Sequence, residues 1–344
     1  MSEMRRDPLT GRWVVFAPER KRRPQYIDRR HEGFDSSMSG GCPFCKGNEA
    51  LTPPEVLAYR GGHSKPNQEG WSLRVVPNKF PALRVEGELG RRPDGFYDRM
   101  NNIGAHEVVI ETPSHHHGVD DMTLAHVKHI FCAYKARLLD LKQDSRFRYI
   151  KIFKNHGASA GATIPHSHSQ IIAMPVIPSL VNQKIDIARN HFSAKERCLC
   201  CDIVAHERDH QHRVLLDNGD FVVLAPYASR FPFELALYPI QHQTRFEELD
   251  DALLDNLAHA VKNTVERLNR VLDFPDYHWI LTNAPFDGDI APFFHWHLEI
   301  VPLVTGTGGF ELGTQSYINT VFPEEAVEIL KDPKYTGAAN HTPD

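Results

Sequence analysis

Two sets of metal-ligand residue types, written in the same order, constrain this chain more than any other feature. The first is Cys42-Pro-Phe-Cys45, then His115, then His166-Ser-His168; the second is Cys198-Leu-Cys-Cys201, then His242, then His295-Trp-His297. A cysteine pair with two residues between, plus two distant histidines, suits a tetrahedral zinc ion. Thiolate and imidazole are its preferred donors, and a tight turn lets both sulfurs reach one ion. Each set therefore obliges segments far apart in the chain to meet. Each half also leaves one histidine of its His-x-His over. In the first half the spare is His168, inside Pro165-His-Ser-His-Ser-Gln170, and it is the candidate for chemistry.

The segments around the two sets match in order and type, which is the mark of an internal duplication. In the first half Glu107–Glu111 reads as a strand, followed by His115. Asp120-Asp121 then opens a helix with Val127, Ile130, Tyr134, Leu138 and Leu141 at three- and four-residue steps. Tyr149–Phe153 and Ile171–Ala173 read as strands. In the second half Glu234–Tyr238 is a strand, His242 follows, and Asp250-Asp251 opens a helix carrying Leu254, Leu257, Val261, Val265, Leu268 and Leu272. Trp279–Leu281 and His297–Val301 are again strands. The lone histidine precedes the His-x-His pair by 51 residues in one half and 53 in the other. Hairpin-joined strands with one long helix per half predict an α+β fold of antiparallel sheet backed by helix. No Gly-x-Gly-x-x-Gly follows a strand, so a dinucleotide-binding Rossmann fold has no support. The expected division is residues 1–178, a helical linker at 179–197, a second unit at 198–332 and a loose tail at 333–344. Arg29–Gly41, Gly61–Gly70 and Gly87–Gly95 read as surface loops.

Composition narrows the function. The 344 residues are 41% hydrophobic and 24% charged, with a formal net charge of −5. That balance disfavours nucleic acid as a partner, which draws on many Lys and Arg contacts, while small anions remain suitable ligands. No apolar stretch is long enough for a membrane span, and Met1–Arg6 lacks the apolar run of a signal peptide, so no membrane association is expected and the expected location is cytoplasmic. Four of six cysteines fall in Cys-x-x-Cys spacing, which fits metal ligation in a reducing compartment better than disulfides. Cys132, in a helical pattern, reads as a buried inert thiol.

Asn155-His-Gly-Ala-Ser-Ala-Gly-Ala-Thr-Ile-Pro-His-Ser-His-Ser-Gln170 resembles the active-site segment of the galactose-1-phosphate uridylyltransferase family, the transferase branch of the histidine triad superfamily. Cys42-x-x-Cys45-Lys-Gly-Asn48, Val76-Pro-Asn-Lys-Phe-Pro-Ala-Leu83 and Gly309-Phe-Glu-Leu-Gly313 match that family in order, so the likeness runs from about residue 5 to about residue 330. The resemblance implies two histidine-triad half-barrel units and a homodimer whose active sites are completed by the partner chain. It implies His168 as a nucleophile that accepts a nucleotidyl group, and Gln170 in the place where hydrolases of the superfamily carry a third histidine. Glutamine donates hydrogen bonds to phosphoryl oxygens but delivers no proton. A sugar phosphate leaves as a stable anion and needs none, so glutamine fits a transferase.

The same resemblance carries Arg23 to the phosphates, Asn78 and Phe80 to the base and ribose, Asn155 to the α-phosphate, Thr163 to a hydroxyl position usually held by serine, and Glu311 to the hexose. It assigns Cys42, Cys45, His115 and His166 to one structural zinc. Cys198, Cys201, His242 and His295 read as a second structural zinc set, with His297 either a substitute ligand or a core residue. His116 and His117 read as solvated loop residues. On the sugar side the sequence departs from the family, with Thr305 and Phe310 standing where a lysine and a tyrosine are usual.

The expected partners are a nucleotide sugar and a sugar phosphate. The expected reaction is UDP-glucose plus galactose 1-phosphate giving UDP-galactose and glucose 1-phosphate. The alternative is an ADP-glucose phosphorylase, which Gly308–Asn319 also resembles, with phosphate as acceptor. A zinc-supported binding module without catalysis is a reading of another class. The acidic balance and the long ligand spacing speak against it.

Overall fold

The computed structural model describes residues 2–22, 41–62, 64–115 and 118–335. In chain order the strands are β1 (Glu3–Arg6), β2 (Trp13–Phe16), β3 (Leu57–Arg60), β4 (Trp71–Pro77), β5 (Arg92–Asp94), β6 (Tyr97–Arg99), β7 (Ala105–Ile110) and β8 (Tyr149–His156). They continue with β9 (His168–Met174), β10 (Val214–Asp217), β11 (Phe221–Leu224), β12 (Leu235–Pro239), β13 (Tyr277–Thr282), β14 (His297–Pro302) and β15 (Tyr317–Asn319). The helices are α1 (Leu124–Leu141), α2 (Ser179–Lys195), α3 (Leu199–His210), α4 (Asp251–Leu272), α5 (Gly309–Thr314) and α6 (Pro323–Lys331). The expected α+β class is what the chain adopts.

Ten strands make one sheet in the order β10-β11-β12-β14-β13-β8-β9-β7-β4-β3, with every pairing antiparallel. Outward from the β13–β8 seam both halves run in the same succession, β8-β9-β7-β4-β3 on one side and β13-β14-β12-β11-β10 on the other. Phe153 pairs with Gln170, Ile280 pairs with Glu299, and Phe153 pairs with Ile280 across the seam. Gln170 and Glu299 each lie two residues beyond the second histidine of a His-x-His. A local two-fold through the Phe153–Ile280 pair therefore relates the halves, and the duplication seen in the residue order is also one of register.

One face of the sheet carries α1 and α4. Val127, Ile130, Phe131, Tyr134 and Leu138 of α1 and Leu254, Leu257, Val261, Val265 and Leu268 of α4 pack with Val109, Ile152, Ile171, Trp279 and Leu281 of the strands in a continuous core. Several of these are mediocre helix formers, each costing roughly 0.5 kcal/mol relative to alanine. Burying each large apolar side chain returns about 1.5–3 kcal/mol, so packing decides the helix. Phe131 stacks on Trp279 at 5.4 Å between ring centroids. On the opposite face α2 lays Val181, Ile185 and Ala188 on Tyr149, Phe293 and Phe294.

Beyond shifts of a few residues at strand and helix ends, the structure departs from the expectation in two places. The first long helix starts at Leu124, not at Asp120-Asp121, because Thr123 caps it by accepting from the His126 N–H. Asp121 is instead used in a turn, accepting from the Gly118 N–H. The loop expected at Gly87–Gly95 contains β5, which pairs with β6 through a turn where Gly95 sits at φ +62°. Cys132 is only partly buried, packed against the core. Among the described residues no helix is long and apolar enough to cross a membrane.

Candidate active site and metal centres

Neighbouring strands assemble each ligand set. In the first half β7 and β9 pair so that Ile110 faces His168. His115 follows one strand and His166 precedes the other, so both arrive at the same end of the sheet. The Cys42–Cys45 turn closes on them, with the Cys45 N–H donating to the Cys42 carbonyl. In the second half β12 and β14 are the corresponding neighbours, and Cys198 caps α3.

Each of the two sets, Cys42/Cys45/His115/His166 and Cys198/Cys201/His242/His295, has ligand atoms all within 4.8 Å of one another. A tetrahedral ion with metal–sulfur bonds of about 2.3 Å and metal–nitrogen bonds of about 2.0–2.1 Å sets its ligands roughly 3.3–3.8 Å apart. Sγ of Cys45 lies 3.4 Å from His115 Nδ1 and 3.5 Å from His166 Nδ1, and Sγ of Cys42 lies 3.7 Å from His166 Nδ1. The second set repeats this at 3.4 Å for Cys201–His242, 3.6 Å for Cys201–His295 and 3.9 Å for Cys198–His295.

The far side of the rings supports the same reading. His166 Nε2–H donates to the Thr112 carbonyl at 2.6 Å, His295 Nε2–H to Pro239 at 3.0 Å and His242 Nε2–H to Ala291 at 2.7 Å. Such bonds fix the tautomer that turns Nδ1 to a metal. Burial and the neighbouring Cys42 push the Cys45 thiol up to about 11, so Cys45 needs a cation to be thiolate at neutral pH. Both sets can hold a metal ion.

His168 opens β9 and is buried. Its Nδ1–H donates to the His166 carbonyl at 2.7 Å, which leaves Nε2 as the basic nitrogen of the ring. Burial holds its pKa below the usual histidine value, so the imidazole is neutral. Phe44, from the cysteine turn, meets the ring edge-on at 5.2 Å. Behind the strand the Lys154 ammonium donates to Glu111 Oε2 at 2.5 Å, to Ser167 Oγ at 2.8 Å and to the His168 carbonyl at 3.3 Å. Lys154 and Glu111 are both fully buried. This ion pair clamps the backbone that presents His168.

Register puts four polar side chains on the face of His168. Gln170 is two residues on along β9. Continuing the Phe153–Gln170 pairing by two residues sets Asn155 beside His168. Gln170 Oε1 accepts from His106 Nε2 at 2.8 Å, and Asn155 Oδ1 accepts from His278 Nδ1 at 3.0 Å. The loop after Asn155 is anchored by the second half, since Asp276 Oδ2 accepts from the Ser159 N–H at 2.7 Å. Gly157 there has φ +87°, and a Cβ on it would meet Asp276 Oδ1 at 1.7 Å, so only glycine fits.

The remaining sequence candidates are less concentrated. Asn78 Oδ1 accepts from the Phe80 N–H at 2.8 Å in a turn just beyond β4, and the Phe80 ring is 84% exposed. Thr163 is exposed on the Gly157–Pro165 loop. Glu311 accepts from the Gly308 N–H at 2.8 Å, so its carboxylate caps α5. Arg23, His116 and His117, and the tail from 336 onward, lie outside the described residues. Lys154, Glu111, His106, His278 and Asp276 were missed in the sequence. The last two come from the other half, and nothing in the motif spacing points to them.

Residues 1–178 match the family model described as galactose-1-phosphate uridyl transferase, N-terminal domain, and residues 104–335 match one described as a domain of unknown function, DUF4921. The chain is 35% identical to an ADP-glucose phosphorylase of Arabidopsis thaliana over 338 residues, 97% of this chain and 93% of the relative. It is 28% identical to a galactose-1-phosphate uridylyltransferase of Thermotoga maritima over 342 residues, 96% of this chain and 98% of the relative. Among solved structures, an ADP-glucose phosphorylase from Arabidopsis thaliana with bound ADP-glucose superposes with a TM-score of 0.83 at 35% identity, covering 96% of this chain and 99% of that one. A uridylyltransferase structure gives a TM-score of 0.75 at 25% identity, covering 96% and 97%.

Proposed function

Because the chain belongs to the galactose-1-phosphate uridylyltransferase family and is a nucleotidylyltransferase, we propose that it works by a two-step exchange through a nucleotidyl-His168. The observation that carries the nucleophile is the His168 Nδ1–H bond to the His166 carbonyl, which leaves a neutral Nε2 lone pair. Nε2 attacks the α-phosphorus of a nucleotide sugar, the bond from that phosphorus to the bridging oxygen breaks, and the sugar 1-phosphate leaves with the electron pair. An acceptor phosphate oxygen then attacks the same phosphorus and the phosphorus–nitrogen bond breaks. Gln170 and Asn155 donate to the phosphoryl oxygens, and Phe80 offers its exposed ring to the base.

The preferred donor is ADP-glucose and the preferred acceptor is phosphate, giving ADP and glucose 1-phosphate. This reverses the order of the two readings expected from sequence. The similarity to the Arabidopsis thaliana phosphorylase along 97% of the chain supports it. So does Thr305, which offers no cation to a sugar phosphate acceptor. The second reading keeps UDP-glucose and galactose 1-phosphate, and the family match over residues 1–178 favours it.

Cys42, Cys45, His115 and His166 would hold one structural zinc and Cys198, Cys201, His242 and His295 another. Bound there, zinc cross-links chain segments and does no chemistry on the substrate. We assign residues 1–178 as the catalytic half, 198–332 as the supporting half and 179–197 as their link, in a cytoplasmic homodimer. Intact-protein mass after incubation with ADP-glucose or UDP-glucose alone tests the donor. An adenylyl adduct that His168→Asn abolishes supports the first reading, a uridylyl adduct the second, and no adduct with either overturns both.

A further inference from the structure

An amide side chain is nearly the same shape when turned over, yet one face donates and the other accepts. Beside a phosphoryl group only the donor face helps, and the oxygen face repels. Gln170 and Asn155 thus need something that tells their two ends apart, and both have a histidine at the oxygen.

A backbone N–H sets the His106 tautomer. Its Nδ1 accepts from the Ala82 N–H at 3.2 Å, so Nε2 carries the proton and donates to Gln170 Oε1 at 2.8 Å. The Asn78 amide nitrogen also lies 3.2 Å from this Nε2. His278 is the direct cross-strand partner of Asn155 over the β13–β8 seam, and its Nδ1 meets Asn155 Oδ1 at 3.0 Å. At His106 a turned-over amide would set N–H against N–H, and the same holds at His278 in the tautomer that donates from Nδ1 to Asn155 Oδ1. The two rings reach their amides from opposite directions, one from β7 on the catalytic side and one from β13 in the other half.

We propose that His106 and His278 are positioning residues that hold Gln170 and Asn155 oxygen-outward, so that both NH₂ groups face the phosphoryl group transferred to His168. The inference rests on the nucleotidyl-His168 reading. It gives the second half a part in the reaction: through His278 it orients a donor without touching substrate.

Atom position provides the test, since Nδ2 of asparagine stands near Nδ1 of histidine, and Nε2 of glutamine near Nε2. His278→Asn and His106→Gln keep the donor in place, whereas His278→Gln and His106→Asn keep a polar side chain but displace it. Nucleotidylation of the full-length, metal-loaded protein by ADP-glucose and by UDP-glucose is followed by mass under single-turnover conditions, with melting temperature as control. Loss of a whole transition-state donor costs about 10²–10³ in rate. The displaced variants are expected to slow the step by at least about tenfold, with donor affinity little changed, and the matched variants to stay near wild type. Combined with Asn155→Ala, His278→Gln should slow it no further.

Equal rates in matched and displaced variants, while Asn155→Ala and Gln170→Ala are slow, would overturn the inference and leave the reading intact. An unlabelled wild type, or label surviving His168→Asn, would instead remove the reading. Should His278→Gln lower the melting temperature, the Asn155→Ala background still decides, because a merely structural effect adds to that variant and a positioning effect does not.

Discussion

The Lys184 ammonium lies 2.8 Å from His297 Nε2, the counterpart of the ring atom proposed as the nucleophile in His168. His297 repeats the geometry of His168, with Nδ1–H donating to the His295 carbonyl at 3.2 Å. Its Nε2, however, faces Lys184, which also bonds Glu299 at 2.8 Å, and Glu299 occupies the place of Gln170. Arg230 holds the other oxygen of Glu299 at 2.9 Å. A partly buried carboxylate where the first half has an amide opposes a phosphoryl group.

One label per chain is the consequence. Saturating donor should modify a single histidine, and His297→Asn should leave that stoichiometry unchanged while His168→Asn reduces it to none. Intact mass after acceptor-free incubation reads this directly, and a second adduct would mean that the Lys184 plug opens.

Lys154→Met should strand the buried Glu111 carboxylate and cost about 3–5 kcal/mol in urea unfolding. Replacing both, Lys154→Met with Glu111→Leu, should recover most of it, because an apolar pair of similar volume needs no solvation. Burial alone would raise the Glu111 pKa, but the Lys154 ammonium and the Ser167 hydroxyl outweigh it and the net shift is downward from 4.5. The pair's stabilisation is therefore present above about 4.5, the unfolded value, and lost as pH falls through the lower folded value. Stability of Glu111→Leu/Lys154→Met should depend less on pH in that acid window.

Stripping metal should lower the melting temperature before it slows nucleotidylation of protein that is still folded. Zinc returned to stripped protein should release protons, since Cys45 without a cation is a thiol with its pKa pushed up to about 11. Calorimetry in buffers of different ionisation enthalpy measures that release. A stable, active, metal-free protein would contradict the assignment of either site as structural.

Phe80→Ala should raise KM for the nucleotide sugar with kcat nearly unchanged, because stacking on a base holds ground state and transition state alike. Base–aromatic stacking is worth roughly 1–3 kcal/mol, so the expected rise is on the order of 5- to 150-fold. Steady-state kinetics separates this from the rate effect expected at Gln170.

Residue order alone determined the duplication, the two Cys₂His₂ sets, the α+β class and the segment that carries His168. These are written locally: a Cys-x-x-Cys turn, a His-x-His at the mouth of a strand and apolar stripes of helical period each need only a few neighbouring residues to be read. The tertiary structure alone decided which strand edges meet. The β13–β8 pairing sets His278 beside Asn155 and carries Asp276 to the Gly157 loop, and the combined registers of β8, β9 and β7 bring Lys154 to Glu111. It also decided the fate of the repeated histidine, because the partner of His297 is a lysine on a helix more than a hundred residues away. Pairings between distant strands depend on burial and twist summed over a whole sheet, and no local run of residues records that sum.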